Sequence, residues 1–335
     1  MSSLDAFSLS SILLCFVVIT AITFVVSQKL SSTAEIEADV VCCANCGAAE
    51  VDDIKLEECD GCDLVKYCTD KCRQKHRPRH KKACKKRARE LHDKELFTQP
   101  DGCHHGECPI CFLPLPIDPE KSYFKSCCSE TVCRGCSYAN FMANRHDEIK
   151  ANRCPFCREV PSKDKEVNKK KKMKRVEANV PAALCEHGTY CYNQGNPKSA
   201  FEYWTKAVAL GDLTSHFKVG VLYMNGEGVE KDEKKAVYHY EIAAIGGHPW
   251  ARYNLATNEE RNGNIRRAVK HYIIAAKLGE EKSMKNLWDH YSLGNITKEE
   301  LDATLRAHRA AIDETKSEQR EAAEKGVLRL RSLGG

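Results

Sequence analysis

The feature that most constrains the fold is the spacing of the cysteines. Seventeen of the twenty fall between Cys42 and Cys157, and only Cys15, Cys185 and Cys191 lie outside. Most come as C-x-x-C pairs: "CANC" (43–46), "CDGC" (59–62), "CPIC" (108–111), "CRGC" (133–136) and "CPFC" (154–157). A small secreted protein would use such a count for disulfides. Paired cysteines joined by His, with Lys and Arg around them, favour thiolate–metal sites in a reducing compartment. At 335 residues the chain also has room for two or three small domains.

The first series reads C-x2-C, x12, C-x2-C, x5, C, x3, C, x7, H, x3, C, from Cys43 to Cys84. Seven cysteines and one histidine are enough for two closed tetrahedral zinc sites. Cys68 with Cys72, and His80 with Cys84, are i, i+4 pairs that share a helix face. A segment with so little apolar sequence depends on metal: structural zinc contributes on the order of 10–16 kcal/mol in finger-sized peptides. "KYCTDKC" and "HKKAC" resemble the MYND zinc finger over about residues 42–84. The resemblance implies an interleaved pairing, with Cys43, Cys46, Cys68 and Cys72 on one ion and Cys59, Cys62, His80 and Cys84 on the other. Cys42 and His76 are spare alternatives. MYND fingers that bind proline-containing peptides use a Gln and a Trp where this chain has Arg73 and Arg77. Peptide recognition therefore loses ground to a structural module with a basic surface.

The second series supplies eight sulfurs between Cys108 and Cys157, and its order resembles a RING finger. That resemblance implies Cys108, Cys111, Cys133 and Cys136 at one ion and Cys127, Cys128, Cys154 and Cys157 at the other. Adjacent residues in extended chain point to opposite sides, so Cys127 and Cys128 can share an ion only if the backbone bends sharply between them. Otherwise one ligates, and Glu130 or water fills the place. The all-cysteine reading is preferred, because Cys128-x4-Cys133 fits an all-cysteine RING variant. Such a finger implies a ubiquitin ligase without a covalent intermediate, which positions a ubiquitin-loaded conjugating enzyme. The resemblance assigns conjugating-enzyme docking to Ile110, Phe141 and Pro155, and the ubiquitin clamp to Arg158.

"FSLSSILLCFVVITAITFVV" (7–26) carries no charge over 20 residues, enough for a helix of roughly 30 Å, a bilayer core. A cleaved signal peptide is the rival, but no Lys or Arg precedes the run and Asp5 does. Lys29 follows it, so a single-pass anchor would leave the rest on the cytoplasmic side. The alternative localisation is soluble, cytoplasmic or nuclear. Net charge is only +5, yet eleven Lys and Arg fall between Lys71 and Arg89 and six more in "NKKKKMKR" (168–175). These blocks read as a solvated helix face and a linker. Without interleaved aromatics, nucleic acid is an unlikely partner.

Beyond residue 180 cysteines nearly vanish and small and aromatic residues recur at fixed offsets. Ala200, Ala236 and Ala268 are followed by Trp204, Tyr240 and Tyr272, then by Ala207, Ala243 and Ala275, then by Gly211, Gly247 and Gly279. Small residues at i and i+7 with an aromatic at i+4 form one helix face, and the glycine closes the helix. "LYMNGEGVEKDEKKAVYHYEIAAIGG" resembles a Sel-one-like repeat, related to tetratricopeptide repeats, which implies a protein-binding solenoid. A further helix starts at Thr297, with Glu300 completing a capping box and a polar end suited to a solvent-facing cap. The terminal "VLRLRSLGG" carries no β-grasp pattern before it and is read as frayed terminus.

The expected fold class is thus multidomain: two small zinc-stabilised α+β fingers, then an all-α solenoid, with an N-terminal transmembrane helix. The expected order is anchor 1–30, linker 31–41, MYND-type finger 42–95, RING-type finger 101–162, basic linker 163–179, repeats 180–292 and C-terminal helix 295–326. Two zinc ions are expected in the first finger and one or two in the second, four if both are complete. The expected function is a membrane-anchored RING-type ubiquitin ligase whose repeats recruit a protein client. The expected partners are ubiquitin, its conjugating enzyme and the membrane through residues 7–26. The alternative is a non-enzymatic, zinc-dependent protein-interaction scaffold.

Overall fold

The computed structural model describes residues 41–50 and 54–333. The chain divides at His92/Asp93 into two compact units.

In the first unit, strands β1 (Glu57–Glu58) and β2 (Lys66–Tyr67) pair antiparallel, Glu57 opposite Tyr67. Helix α1 (Asp70–Leu96) follows, its last turn already in the second unit. Among the described residues, Cys43, Leu56 and Tyr67 form a small buried cluster here, with Cys59, Cys68 and Cys72 packed against it. The presumed ligands are therefore a large part of the core, as expected of a module too small to bury much apolar surface.

The second unit opens with a cysteine-rich module. Strands β3 (Ser122–Lys125) and β4 (Glu130–Cys133) form a hairpin with Ser122 opposite Cys133 and Lys125 opposite Glu130. Helix α2 (Arg134–Ala143) follows directly, its N-cap being Cys133, and short α3 (Glu148–Ala151) comes next. Residues 163–179, expected as a linker, contain helix α4 (Lys165–Glu177) instead. The Asp164 side chain caps it by accepting the Glu166 N–H, and Val176 is buried.

The repeats are helix pairs: α5 (Pro181–Asn193) with α6 (Pro197–Val208), α7 (Leu213–Asn225) with α8 (Glu233–Ile245), and α9 (Pro249–Arg261) with α10 (Ile265–Lys277). Each pair packs on the next, giving a solenoid. The alanines of the repeated face, Ala200, Ala207, Ala236, Ala243, Ala268 and Ala275, are all fully buried. The aromatic between each alanine pair meets the preceding helix where that helix has its smallest residue. A Cβ on Gly188 would lie 2.6 Å from the Trp204 ring, and one on Gly220 2.6 Å from the Tyr240 ring. Ala256 stands at the matching position in α9 and shares a core cluster with Tyr272. The chain entering this unit also packs on the repeats. Leu96 is buried with Ala236, Tyr240 and Leu255, and the buried Arg252 guanidinium donates to the carbonyls of Leu96 and, at 2.7 Å, Ala244.

Helices α11 (Glu281–Ser292), α12 (Lys298–Glu314) and α13 (Glu318–Leu333) complete the chain. The Thr297–Glu300 capping box is present, with bonds of 3.2 and 3.1 Å. The C-terminal segment, however, is two helices, and α13 is no solvent-facing cap: it packs on α2 of the cysteine-rich module. Close approach needs small residues on both sides. A Cβ on Gly135 would meet the Arg320 backbone N at 2.8 Å, and one on Gly326 the Tyr138 ring at 2.9 Å.

The expected fold class needs correction in its membrane element. Among the described residues no helix is long and apolar enough to cross a membrane. The longest, the 27-residue α1, is strongly polar. The segment Phe7–Val26, on which the anchor was inferred, lies outside the described residues. The fold described is a helical-repeat solenoid following a cysteine-rich region.

Candidate metal centres

The cysteine pairs are shaped by one recurring turn. The N–H of Gly47 donates to Cys43 O (2.9 Å), that of Phe112 to Cys108 O (2.9 Å) and that of Arg158 to Cys154 O (3.0 Å). Each of these three residues has positive φ, between 56° and 76°. A return bond closes each knuckle: Cys43 N–H to Ala48 O, Cys108 N–H to Leu113 O and Cys154 N–H to Glu159 O. The turn aims backbone N–H groups at the first sulfur of the pair, which stabilises a thiolate. Burial opposes ionisation of Cys43, but N–H groups of Cys46, Cys68 and Asn45 outweigh it and bring the thiol down to about 6. Cys108 falls to about 7 for the same reason, through Cys133, Cys111 and Ile110.

The sixteen predicted residues come together in four groups of four, each with its donor atoms within 4.8 Å of one another. Cys43, Cys46, Cys68 and Cys72 form the first. Its sulfurs lie 3.5 Å apart for Cys46–Cys68 and 3.7 Å for Cys68–Cys72, and Asn45 Nδ2 donates to Cys72 Sγ at 3.4 Å. Cys59, Cys62, His80 and Cys84 form the second, with Cys59–Cys84 at 3.8 Å and Cys62 Sγ to His80 Nε2 at 3.1 Å. Burial and neighbouring His76 lower the His80 pKa, keeping the imidazole neutral as a metal ligand must be. His76, a spare candidate, bonds the Tyr67 hydroxyl at 3.0 Å and stacks on His80.

In the second unit, Cys108, Cys111, Cys133 and Cys136 converge, with Cys111 and Cys133 sulfurs 3.9 Å apart. The Cys133 N–H donates to Cys108 Sγ at 3.5 Å, and the Cys136 N–H to Cys133 Sγ at 3.4 Å. Cys127, Cys128, Cys154 and Cys157 make the fourth group, with Cys128–Cys154 at 3.9 Å and Cys127–Cys157 at 3.4 Å. The backbone does bend sharply between the hairpin strands. Cys128 and Ser129 both donate their N–H groups to Lys125 O, and Ser129 takes φ +61°. Both adjacent sulfurs thereby reach one centre. Glu130, the fallback ligand, is exposed and paired in the strand ladder.

Zinc bonds of about 2.3 Å to sulfur at tetrahedral angles put two sulfurs roughly 3.8 Å apart. The observed separations fit that spacing. The charge logic fits too. Hydrogen bonds from Cys68 to Cys46 and Cys43, with burial, hold its thiol up at about 12 while Cys43 sits near 6. A divalent cation supplies the charge that lets all four ionise. Zinc in these groups would brace the fold.

The predicted docking residues differ in exposure. Ile110 packs against the core of Cys108, Leu115, Val132, Cys133 and Cys136, and Pro155 is buried. Phe141 is 49% exposed. Arg158 is exposed, and its Nη1 donates to Asn140 Oδ1 at 3.4 Å. In the finger, Arg73 is engaged by Glu57 (2.9 Å), Asp60 (3.1 Å) and Asp70 (3.3 Å).

Two outer contacts had no sequence signal. Arg320 of α13 donates to Pro114 O (2.7 Å), Leu113 O (3.2 Å) and Cys111 Sγ (3.5 Å). Arg175 of α4 donates to Cys127 O at 2.5 Å. A single arginine in a polar helix gives no pattern from which such a contact could be read.

Residues 43–84 match the MYND finger family, and residues 181–212, 214–248 and 251–280 match the Sel1 repeat. The groups between Cys108 and Cys157 lie outside both matches. Chitin synthase regulatory factor 4 of Schizosaccharomyces pombe is 28% identical over 92 residues, 27% of this chain and 14% of that protein's length. A Sel1 repeat protein of Oxalobacter formigenes is 23% identical with a TM-score of 0.39, covering 52% of this chain and 71% of its own. The c5321 antigen of uropathogenic Escherichia coli is 20% identical with a TM-score of 0.36, covering 57% and 41%. The chain carries a zinc-binding MYND finger followed, beyond further cysteine groups, by Sel1 repeats.

Proposed function

We propose that this protein is a zinc-dependent interaction scaffold, in which metal braces two cysteine-rich modules and the repeats hold a protein client. The observation that carries the reading is closure: each of the four groups offers four protein donors to one ion. Closed sites are structural, whereas catalytic zinc keeps a position open for water or substrate. The repeats and the helix that follows them supply a place for a partner, since Tyr190 on α5, Tyr238 on α8 and Trp288 on α11 are each at least half exposed and large aromatic side chains anchor protein interfaces. The partly matching relative is named as a regulatory factor. The test is capture of partners by the full chain and by a triple variant, Tyr190→Ala, Tyr238→Ala and Trp288→Ala, at equal zinc content. Loss of the captured proteins supports the scaffold; an unchanged set refutes the repeats as the client surface.

One observation favours the ligase as a second reading: exposed Phe141 and Arg158 are linked through Asn140, the residue beside Phe141 on α2. A ligase would discharge ubiquitin from a conjugating enzyme, and Arg158→Ala would slow that discharge without changing zinc content. No discharge across a panel of conjugating enzymes leaves the scaffold alone.

A further inference from the structure

A fifth cluster of metal-ligating side chains lies just before the cysteine-rich module of the second unit. Cys103, His104 and His105 bring one donor atom each within 4.8 Å of one another. Consecutive residues in extended chain could not do this. Here they sit in a turn closed by the Gly106 N–H on Cys103 O at 3.1 Å, with Gly106 at φ +62°. The turn is fixed at both ends. Leu115 N–H donates to Gly106 O at 2.9 Å, and His104 N–H donates to Gly247 O, between the second and third repeats, at 3.2 Å. Any side chain at Gly247 would collide with the Gly102 carbonyl oxygen.

The donor separation is that of a ligand pair. Cys103 Sγ and His104 Nδ1 are 3.4 Å apart. Bonds of about 2.3 Å to sulfur and 2.0 Å to nitrogen at a tetrahedral angle give roughly 3.5 Å. In the finger, Cys62 Sγ and His80 Nε2 stand at 3.1 Å. His104 stacks on His248 with ring centres 3.9 Å apart, and the tilted His105 ring is also centred 3.9 Å from it. His248 Nδ1 accepts the Ala251 N–H at 3.2 Å, so its Nε2 carries the proton and is not a donor to metal. His248 orients His104; it does not ligate. A groove of about 1010 Å³ reaches Cys103 along Gly102, Gly106 and Trp250 and gives an ion a way in.

We infer that Cys103, His104 and His105 form a fifth metal site, a three-donor sulfur–nitrogen–nitrogen set that takes a zinc-class ion. It differs from the other four in leaving one coordination position for water or a partner's side chain, so its ion exchanges more readily. It also differs in place, tying the module's leading turn to the repeats rather than bracing one module.

The test is zinc per chain by native mass spectrometry on the full-length protein, with Cys103→Ser, His105→Gln and His248→Phe beside the parent. The expected result is one ion fewer in Cys103→Ser and in His105→Gln, with the parent count kept in His248→Phe, which retains a stacking ring and all three donors. Cobalt replacement adds a second readout: the parent's thiolate-to-cobalt absorption near the ultraviolet edge drops by one site's share in Cys103→Ser. Equal zinc in the parent and both donor variants overturns the site. Loss of more than one ion in both also overturns it, since the residues would then be supporting the neighbouring module.

Discussion

Arg320 is the side chain by which the end of the repeat half grips the cysteine-rich module, and its removal has a calculable cost. It is 7% exposed and donates to Pro114 O and Leu113 O, to Cys111 Sγ, and to Thr315 O on its own segment at 2.7 Å. Arg320→Ala removes the three bonds that cross to the module. A hydrogen bond to a charged group contributes about 1.5–3 kcal/mol, and each carbonyl left dry costs about 1–3 kcal/mol. These terms overlap, and water repairs part of the loss, so the net is about 3 kcal/mol, at the low end for breaking a buried charged contact. The cost falls on the docking of α13 against α2, where Gly135 and Gly326 leave no slack. Hydrogen exchange in α13 around residue 320 should therefore quicken roughly a hundredfold, while α7 to α10 stay protected. Arg320→Lys keeps the charge but one donor group, and should fall between. Unchanged exchange in Arg320→Ala would refute the reasoning, because the contact would then carry no docking energy.

Three further outcomes follow from other parts of the structure. Gly220→Ala gains about 1 kcal/mol of helix propensity, yet its Cβ would sit 2.6 Å from the buried Tyr240 ring. Overpacking of about 1–3 kcal/mol then wins; a melting temperature below the parent's is expected, and a rise contradicts the packing argument. Stripping metal with a strong chelator should abolish the fold of residues 43–84, with about 10–16 kcal/mol lost per structural ion, read as lost amide protection there while the repeats remain helical. Burial, together with nearby His216, lowers His239 to about 4, and the two Nδ1 atoms are 3.1 Å apart. The unfolded chain binds this proton near 6.5 and the folded chain only near 4. The contribution is therefore present above pH 6.5 and lost as pH falls toward 4. Denaturant midpoints at pH 7 and pH 5 should differ less in His239→Gln than in the parent.

The C-x-x-C pairs and i, i+4 ligands are local devices and were legible in spacing. Their interleaved assignment to four groups was implied by the resemblance to MYND and RING fingers, and the structure brings the same sixteen residues together. The alanine–aromatic–alanine face was equally legible, because each repeat restates it. Other features depend on contacts between distant segments. Nothing near Arg320 marks it as a partner of Leu113 and Pro114, some 200 residues away. The bend that lets Cys127 and Cys128 converge rests on Ser129 at positive φ, which no turn-forming glycine announced. The basic run 168–175 read as linker because its charge masked Val176, the residue that packs, and Asp164, the cap that starts the helix. Ile110 and Pro155 were assigned to docking by position in a pattern; Ile110 is half-buried against the cysteine core and Pro155 is buried.

Each of the four groups brings four donors close enough to hold one ion. The direct measurement is the number of zinc ions held by the full-length chain after a single substitution in each group: Cys46→Ser, Cys62→Ser, Cys111→Ser and Cys128→Ser. The prediction is one ion lost per substitution, with the others retained. Retention of the full count in Cys128→Ser would contradict the closed fourth group, and with it the structural role assigned to zinc in the second module.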